Sequence, residues 1–197
     1  MRQEGHNFNM IRIVRFLTVL IILSSSVLAY AVGPATVYKV RVKKLELWNG
    51  SSWITAFEGT SSTMDIASVN SGQAAGQFLS GLTVPDGVYS QVRVTPHTSF
   101  NVQGNDGARY TLAANGNDGG CTYTTVAALA AECTITLTPP NEPAPTTQDF
   151  SATPITVKDG VCDRKIRVAF DVSTAISYNV PADEIFPAEP TVTMTAQ

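Results

Sequence analysis

Few residues in this chain could carry chemistry. His97, in Thr95-Pro96-His97-Thr98, is the one histidine after residue 31. A serine or cysteine nucleophile needs a base within reach, itself oriented by a third group. No nucleophile-elbow pattern accompanies His97, so it reads as an exposed strand-end residue. The acids Asp86, Asp106, Asp118, Asp159 and Asp163 are scattered, and four of them precede glycine. That is turn chemistry, not the facing carboxylate pair of glycoside hydrolysis. Asn105-Asp106 and Asn117-Asp118 offer oxygens to calcium, but neither loop has the spaced ligands or the closing glutamate that calcium loops use. With no Cys-x-x-Cys and a single histidine, a transition-metal centre is not expected either. What remains is aromatic. Trp48 and Trp53 flank Asn49-Gly50-Ser51-Ser52, with Tyr38 and Phe57 close by in sequence. Exposed indole faces give a sugar ring a large, stiff apolar surface. The competing role is a cross-strand pair that closes a hairpin, contributing up to ~1 kcal/mol. Trp48 and Trp53 are the candidate ligand site. No catalytic residue, cofactor or metal is expected.

The elements that must position these residues are strands. Residues 37–48 alternate Tyr38, Val40 and Val42 against Lys39, Arg41 and Lys43, then resume at Leu45 and Leu47. The phase slips by one at Lys43-Lys44, which a bulge or a strand changing sheets would produce. Asn49-Gly50 is a hairpin signal, and residues 53–57 return. Shorter runs follow at 63–67, 75–84, 88–96, 99–104, 108–114, 121–126, 133–139, 150–157, 165–173 and 191–196, separated by Gly, Asn, Asp and Pro. Short strands at regular spacing predict an all-β, antiparallel sandwich. Helical periodicity is thin: residues 125–132 could form about two turns, and 65–79 holds alanines broken by glycines. Residues 138–149 contain four prolines and no apolar pattern. Only 48 residues follow, too few for a comfortable second core. The expectation is one domain over 32–197, with a Pro-rich surface loop at 138–149.

The stretch Leu82-Thr-Val-Pro85-Asp-Gly87-Val-Tyr89 has a structural explanation. In Greek-key sandwiches a tyrosine after a chain corner buries its ring and hydrogen-bonds the corner's backbone. Pro85 fixes one φ, Asp86-Gly87 supplies the turn, Leu82 and Val84 fill the core, and Tyr89 sits where that ring belongs. Ser90, Val92 and Val94 then alternate with Gln91 and Arg93.

Here a resemblance enters. Residues 64–96 resemble the central segment of an exported bacterial and archaeal family of domains of unknown function. The matching residues are Asp65, Leu82, Pro85, Gly87, Tyr89, Gln91, Val92 and Arg93. Residues 165–176 are similar to that family's closing strand through Phe170, Asp171 and Ser173. The resemblance implies a transthyretin-like or carbohydrate-binding-like β-sandwich outside the cell; the strand pattern itself also suits an immunoglobulin-like Greek key. The resemblance brings no activity to carry over. Many members are lipoproteins, whereas no cysteine follows the leader here.

That leader is residues 1–31: Arg2, Arg12 and Arg15, an apolar run, then Ala29-Tyr30-Ala31. These are the three parts of a secretory signal, with cleavage expected after Ala31. The alternative is a retained anchor, although the core Phe16–Leu23 is short beside the ~20 residues of a span. Met10 is a plausible start for a more compact signal. No second apolar run follows, so no membrane span is expected after cleavage. The whole chain carries 13 basic and 16 acidic side chains; residues 1–31 hold three and one of these, leaving 10 and 15 and a net charge of −5. That balance argues against nucleic acid as a partner. In an exported chain Cys121, Cys133 and Cys162 favour a disulfide. Cys121–Cys133 is the expected pair, with Cys162 as the alternative partner of either. The expectations for function are a secreted or cell-surface binding or adhesion module, its partner a glycan or another surface protein. The alternative is a self-assembling surface subunit that donates residues 32–42 as a strand to a neighbour. A hydrolase is the least supported.

Overall fold

The computed structural model describes residues 32–68, 83–139 and 142–196. The leader 1–31 and the whole stretch 69–82, with Leu82 in it, lie outside them. In chain order the strands are β1 (Val32–Gly33), β2 (Ala35–Val40), β3 (Val42–Trp48), β4 (Trp53–Glu58), β5 (Met64–Asp65), β6 (Gly87–Tyr89), β7 (Gln91–Pro96), β8 (Ser99–Gly104) and β9 (Tyr110–Asn115). There follow β10 (Cys121–Thr124), β11 (Cys133–Thr136), β12 (Thr146–Asp149), β13 (Ile155–Lys158), β14 (Val161–Cys162), β15 (Ile166–Asp171), β16 (Ile176–Asn179), β17 (Glu184–Pro187) and β18 (Thr191–Ala196). The chain is all-β, as the spacing of its strand runs predicts. Within 125–132 the helical tendency shrinks to one 3₁₀ turn, Ala127–Leu129.

Every pairing between these strands is antiparallel. They make two hydrophobic cores. The first lies between the sheet β11-β8-β2-β5 and the sheet β1-β16-β17-β10-β9. Tyr38, Ile66, Phe100, Val102, Ile135, Ile176 and Ile185 fill it. β8 shows why: its buried positions are every second residue, Phe100, Val102 and Gly104, the period at which one strand face meets a core. The second core gathers Leu47, Tyr89, Val92, Phe150, Ile155, Val157 and Met194. They come from the sheet β12-β7-β3-β4, the sheet β14-β13-β6, the two-stranded sheet β15-β18 and Phe150 just after β12.

The phase slip in the sequence is where the chain changes layers. β2 ends at Val40 in a sheet of the first core, and β3 begins at Val42 in a sheet of the second. The register against β7 shifts between Val42 and Lys44. β7 and β8 make the reverse passage through His97-Thr98. The two crossings are bonded to each other, since the His97 amide donates to the Arg41 carbonyl at 2.8 Å. β2 and β3 are interior strands, each paired on both sides.

Each core has its own closure. In the first, Cys121 on β10 and Cys133 on β11 form the expected disulfide, Cα–Cα 6.1 Å, linking the two facing sheets; both cysteines are buried. Cys162 is free and exposed. In the second, Tyr89 is only 2% exposed and its hydroxyl donates to the Pro85 carbonyl at 2.7 Å. Val84 packs beside it. Asp86 fastens the same bend to the β13–β14 turn, accepting the amides of Asp159 and Gly160 at 3.0 and 3.2 Å. Those amides hold its carboxyl below the usual range. Gly87 is not the turn-maker its sequence position suggests. It opens β6 outside the left-handed region, and a methyl group there would meet the Tyr89 hydroxyl at an ordinary 3.5 Å.

The stretch 138–149 also differs from its reading as a surface loop. Thr146–Asp149 forms β12, an edge strand paired with β7. A strand bonded on one side, with a polar outer face, needs no apolar alternation, and Thr-Thr-Gln-Asp has none.

Candidate functional site

The outer face of the sheet β12-β7-β3-β4 carries the candidate site. Leu45, Leu47, Ile54, Ala56, Val92 and Val94 turn inward to the second core. Alternation therefore turns Lys44, Glu46 and Trp48 of β3, Trp53 and Thr55 of β4, and Gln91 and Arg93 of β7 outward. The hairpin that brings the tryptophans together is a four-residue loop. The Asn49 amide donates to the Ser52 carbonyl at 3.2 Å, while Asn49 Oδ1 accepts the amides of Ser51 and Ser52 at 2.9 and 2.8 Å. Gly50 takes φ +94°, a left-handed position that suits glycine.

Register arranges the face in rows that cross all four strands. Trp53 pairs with Trp48, Trp48 with Gln91, and Gln91 with Asp149. The next row in is Thr55, Glu46, Arg93 and Thr147. Both tryptophans are half-buried, their ring centroids 5.4 Å apart and tilted 53°. This is the contacting cross-strand pair that closes the hairpin, and it still leaves indole surface in solvent. Tyr38 and Phe57 do not join it: Tyr38 is buried in the first core, donating to the Ala188 carbonyl at 3.2 Å, and Phe57 lies opposite Leu45.

The second row fixes the first. Arg93 stacks over Trp53, its guanidinium carbon 4.1 Å from the ring centroid. The same guanidinium reaches Glu46 through Nε at 2.8 Å and a terminal nitrogen at 2.7 Å. Lys44 adds a third contact at 3.0 Å. Glu46 is 6% exposed although it stands on an outward face. Burial pushes its carboxyl up, but hydrogen bonds and charge from Lys44 and Arg93 outweigh burial and hold it below the usual range. Both Arg93 nitrogens converge on Glu46 Oε2 while Lys44 takes Oε1, and a planar guanidinium held this way that also stacks on an indole is more fixed than a lysine would be. Trp53 thus rests on a preformed polar base.

The other candidates of the sequence fall elsewhere. His97 is half-buried at the crossing between β7 and β8, and its Nδ1 accepts the Ser99 amide at 3.1 Å. It borders a shallow depression of about 270 Å³ with Lys43, Glu58, Gly59, Thr60 and Thr98. Asp106 accepts the amides of Ala108 and Arg109 and pairs with Arg109 at 2.8 Å. Asn105 caps Gly107. Neither is free for calcium, and among the described residues no group of three or more His, Cys, Asp or Glu is placed to hold a metal. Arg109 lies 3.6 Å over the Tyr178 ring, and the hydroxyls of Tyr178 and Tyr123 both donate to Asp183. The bond to Asp183, aided by burial, raises the Tyr178 hydroxyl to about 12. This cluster ties the 105–110 and 179–183 turns together, its donors and acceptors bonded to one another.

Sequence reading isolates Trp48 and Trp53 but not Gln91, Asp149, Arg93 and Glu46. The one signal for them was the alternation of Gln91 and Arg93 with Val92 and Val94, which marks an outward face without naming its neighbours. Comparison with protein-family models, curated proteins and solved structures finds no match to this chain.

Proposed function

We propose that this chain is a non-catalytic, exported β-sandwich module that binds a glycan on the outer face of β12-β7-β3-β4. The supporting observation is the contacting pair Trp48–Trp53, partly exposed to solvent, with Arg93 stacked on Trp53 and bonded to Glu46. An apolar patch set among groups that donate and accept hydrogen bonds suits a sugar ring, which has an apolar face and a hydroxylated rim. The leader at 1–31 and the resemblance to an exported sandwich family point to the same compartment. The test is retention of the exported protein on a glycan array. Saturable binding, abolished in the Trp48→Ala, Trp53→Ala double variant, is the expected result; retention of no glycan would overturn the proposal.

One observation bears on the alternative, self-assembly by strand donation. β1 is an edge strand held by two residue pairs, Val32 with Ser177 and Gly33 with Ile176. Exchange between copies would need to release those two pairs and then β2 from between β8 and β5. Sedimentation that shifts with protein concentration would favour this reading over the first.

A further inference from the structure

The row that begins with the two tryptophans does not end with them. Trp53, Trp48, Gln91 and Asp149 stand in register across four neighbouring strands. Half the row is aromatic and half is polar. Building on the binding proposal, we infer that Gln91 and Asp149 are the polar half of the same site, and that the ligand is a neutral sugar whose adjacent hydroxyls they read.

Three observations carry this. The tryptophan rings touch, so they form one apolar patch and not two separated platforms. Along the row from the tryptophans the next residue is Gln91 and the one after it is Asp149, within the same line of side chains that a ring stacked on the indoles would border. Gln91 offers both a donor and an acceptor, and ionised Asp149 offers acceptors only, which together match a pair of hydroxyls. Asp149 is exposed, and its carboxylate is held by the Ser151 amide at 2.6 Å, by the Ser151 hydroxyl and by the Gln91 side chain, so the two residues already form one polar unit. The carboxylate is thus oriented before any ligand arrives.

Charge sets the class of sugar. Both cations nearest the tryptophans, Arg93 and Lys44, converge on Glu46. Lys44 also stands opposite Glu58 on β4. Cations and acids on this face are Arg93 and Lys44 against Glu46, Glu58 and Asp149, so no unmatched positive charge is left for an acidic sugar. Asp149 would repel a uronate held on the tryptophans. Close contact of two like charges in water weakens binding roughly fivefold or more.

The experiment compares neutral gluco- and galacto-oligosaccharides with the corresponding uronic-acid oligosaccharides, titrated against wild type, Gln91→Ala, Asp149→Asn and the Trp48→Ala, Trp53→Ala double variant. Matching thermal melts confirm that each variant folds, and both Gln91 and Asp149 lie at the surface. The expected result has four parts. Neutral ligands bind wild type, and the tryptophan variant loses them. Gln91→Ala weakens them about two- to tenfold and Asp149→Asn tenfold or more. The uronates bind wild type at least fivefold more weakly, and Asp149→Asn narrows that gap. Neutral binding that needs the tryptophans but is unchanged in both Gln91→Ala and Asp149→Asn overturns the inference and leaves the binding proposal standing. So does equal or tighter binding of the uronates by wild type. Failure of wild type to bind any of the ligands overturns the binding proposal and the inference with it.

Discussion

The two cores solve the same problem of closure by different bonds. The first joins its facing sheets covalently, through Cys121 and Cys133, and its best-defined polar groups, Asp106, Glu184 and Asp183, are turned onto the protein's own amides and side chains. The second has no disulfide. Its bend is held by hydrogen bonds alone, the Tyr89 hydroxyl on the Pro85 carbonyl and the Asp86 carboxylate on two amides, and its outer face keeps aromatic and polar groups in contact with solvent. The difference teaches where a ligand can be received. In the first half the acids are consumed by turns: the Glu184 carboxylate accepts the amides of Asp118 and Gly120, and a side chain at Gly116 would run into it. In the second half Glu46 is consumed as well, but in a way that props Trp53 and frees the row beside it.

The largest expected effect tests the closure of the second core. Tyr89→Ala removes a fully buried ring and should cost about 3–5 kcal/mol in urea unfolding. Tyr89→Phe keeps the ring but leaves the Pro85 carbonyl without its donor, for about 1–1.5 kcal/mol. Should Tyr89→Phe match wild type, the hydroxyl is dispensable and the contrast between the halves weakens. Next is the closure of the first. Replacing both Cys121 and Cys133 by alanine opens a short loop, worth ~3 kcal/mol in the chain-entropy model. In a domain of this size that lowers the melting temperature by roughly 6–12 °C. Hydrogen exchange should quicken in β9–β11 and hold steady in β3 and β7. Quickening spread evenly over both halves would mean that they open as one unit.

Smaller still is the response to acid, which the halves should share. Asp106 in the first and Glu46 in the second each have folded carboxyls held below the usual range, since hydrogen bonds and cation contacts outweigh their burial. Folding therefore favours the charged forms. Their contribution is complete above the unfolded values of about 4 and is lost as pH falls through the lowered folded ones. Denaturant midpoints measured from pH 5 down to 2 should fall, and less steeply in Asp106→Asn and in Glu46→Gln. An unchanged slope in one variant would assign the acid sensitivity to the other half.

Much of this fold was legible from local pattern. The tyrosine after Pro85, the two cysteines twelve residues apart, and the slip at Lys43-Lys44 each follow from short-range chemistry, and each corresponds to a feature of the chain. β12 was not legible, because an edge strand with a polar outer face has no apolar rhythm to read. Gly87 looked like a turn glycine because Asp-Gly usually is one, whereas here extended backbone begins at that residue. The site was half legible. Trp48 and Trp53 are neighbours through a hairpin, and a hairpin shows in sequence. Gln91 and Asp149 join them only through strand order, 43 and 101 residues downstream of Trp48, and one chain carries no local mark of which strand will lie beside which.

The passage of β2 into β3 has a mechanical corollary. From Ala35 to Trp48 the backbone passes from one core to the other with a break only at Arg41, flanked in turn by β8 and β5, then by β7 and β4. A tether at the N-terminal end and a load gripped at Trp48 would pull this cable along its length. The ladders on its flanks would then be sheared in parallel, not peeled open rung by rung, and force spectroscopy would register one abrupt rupture instead of a staircase.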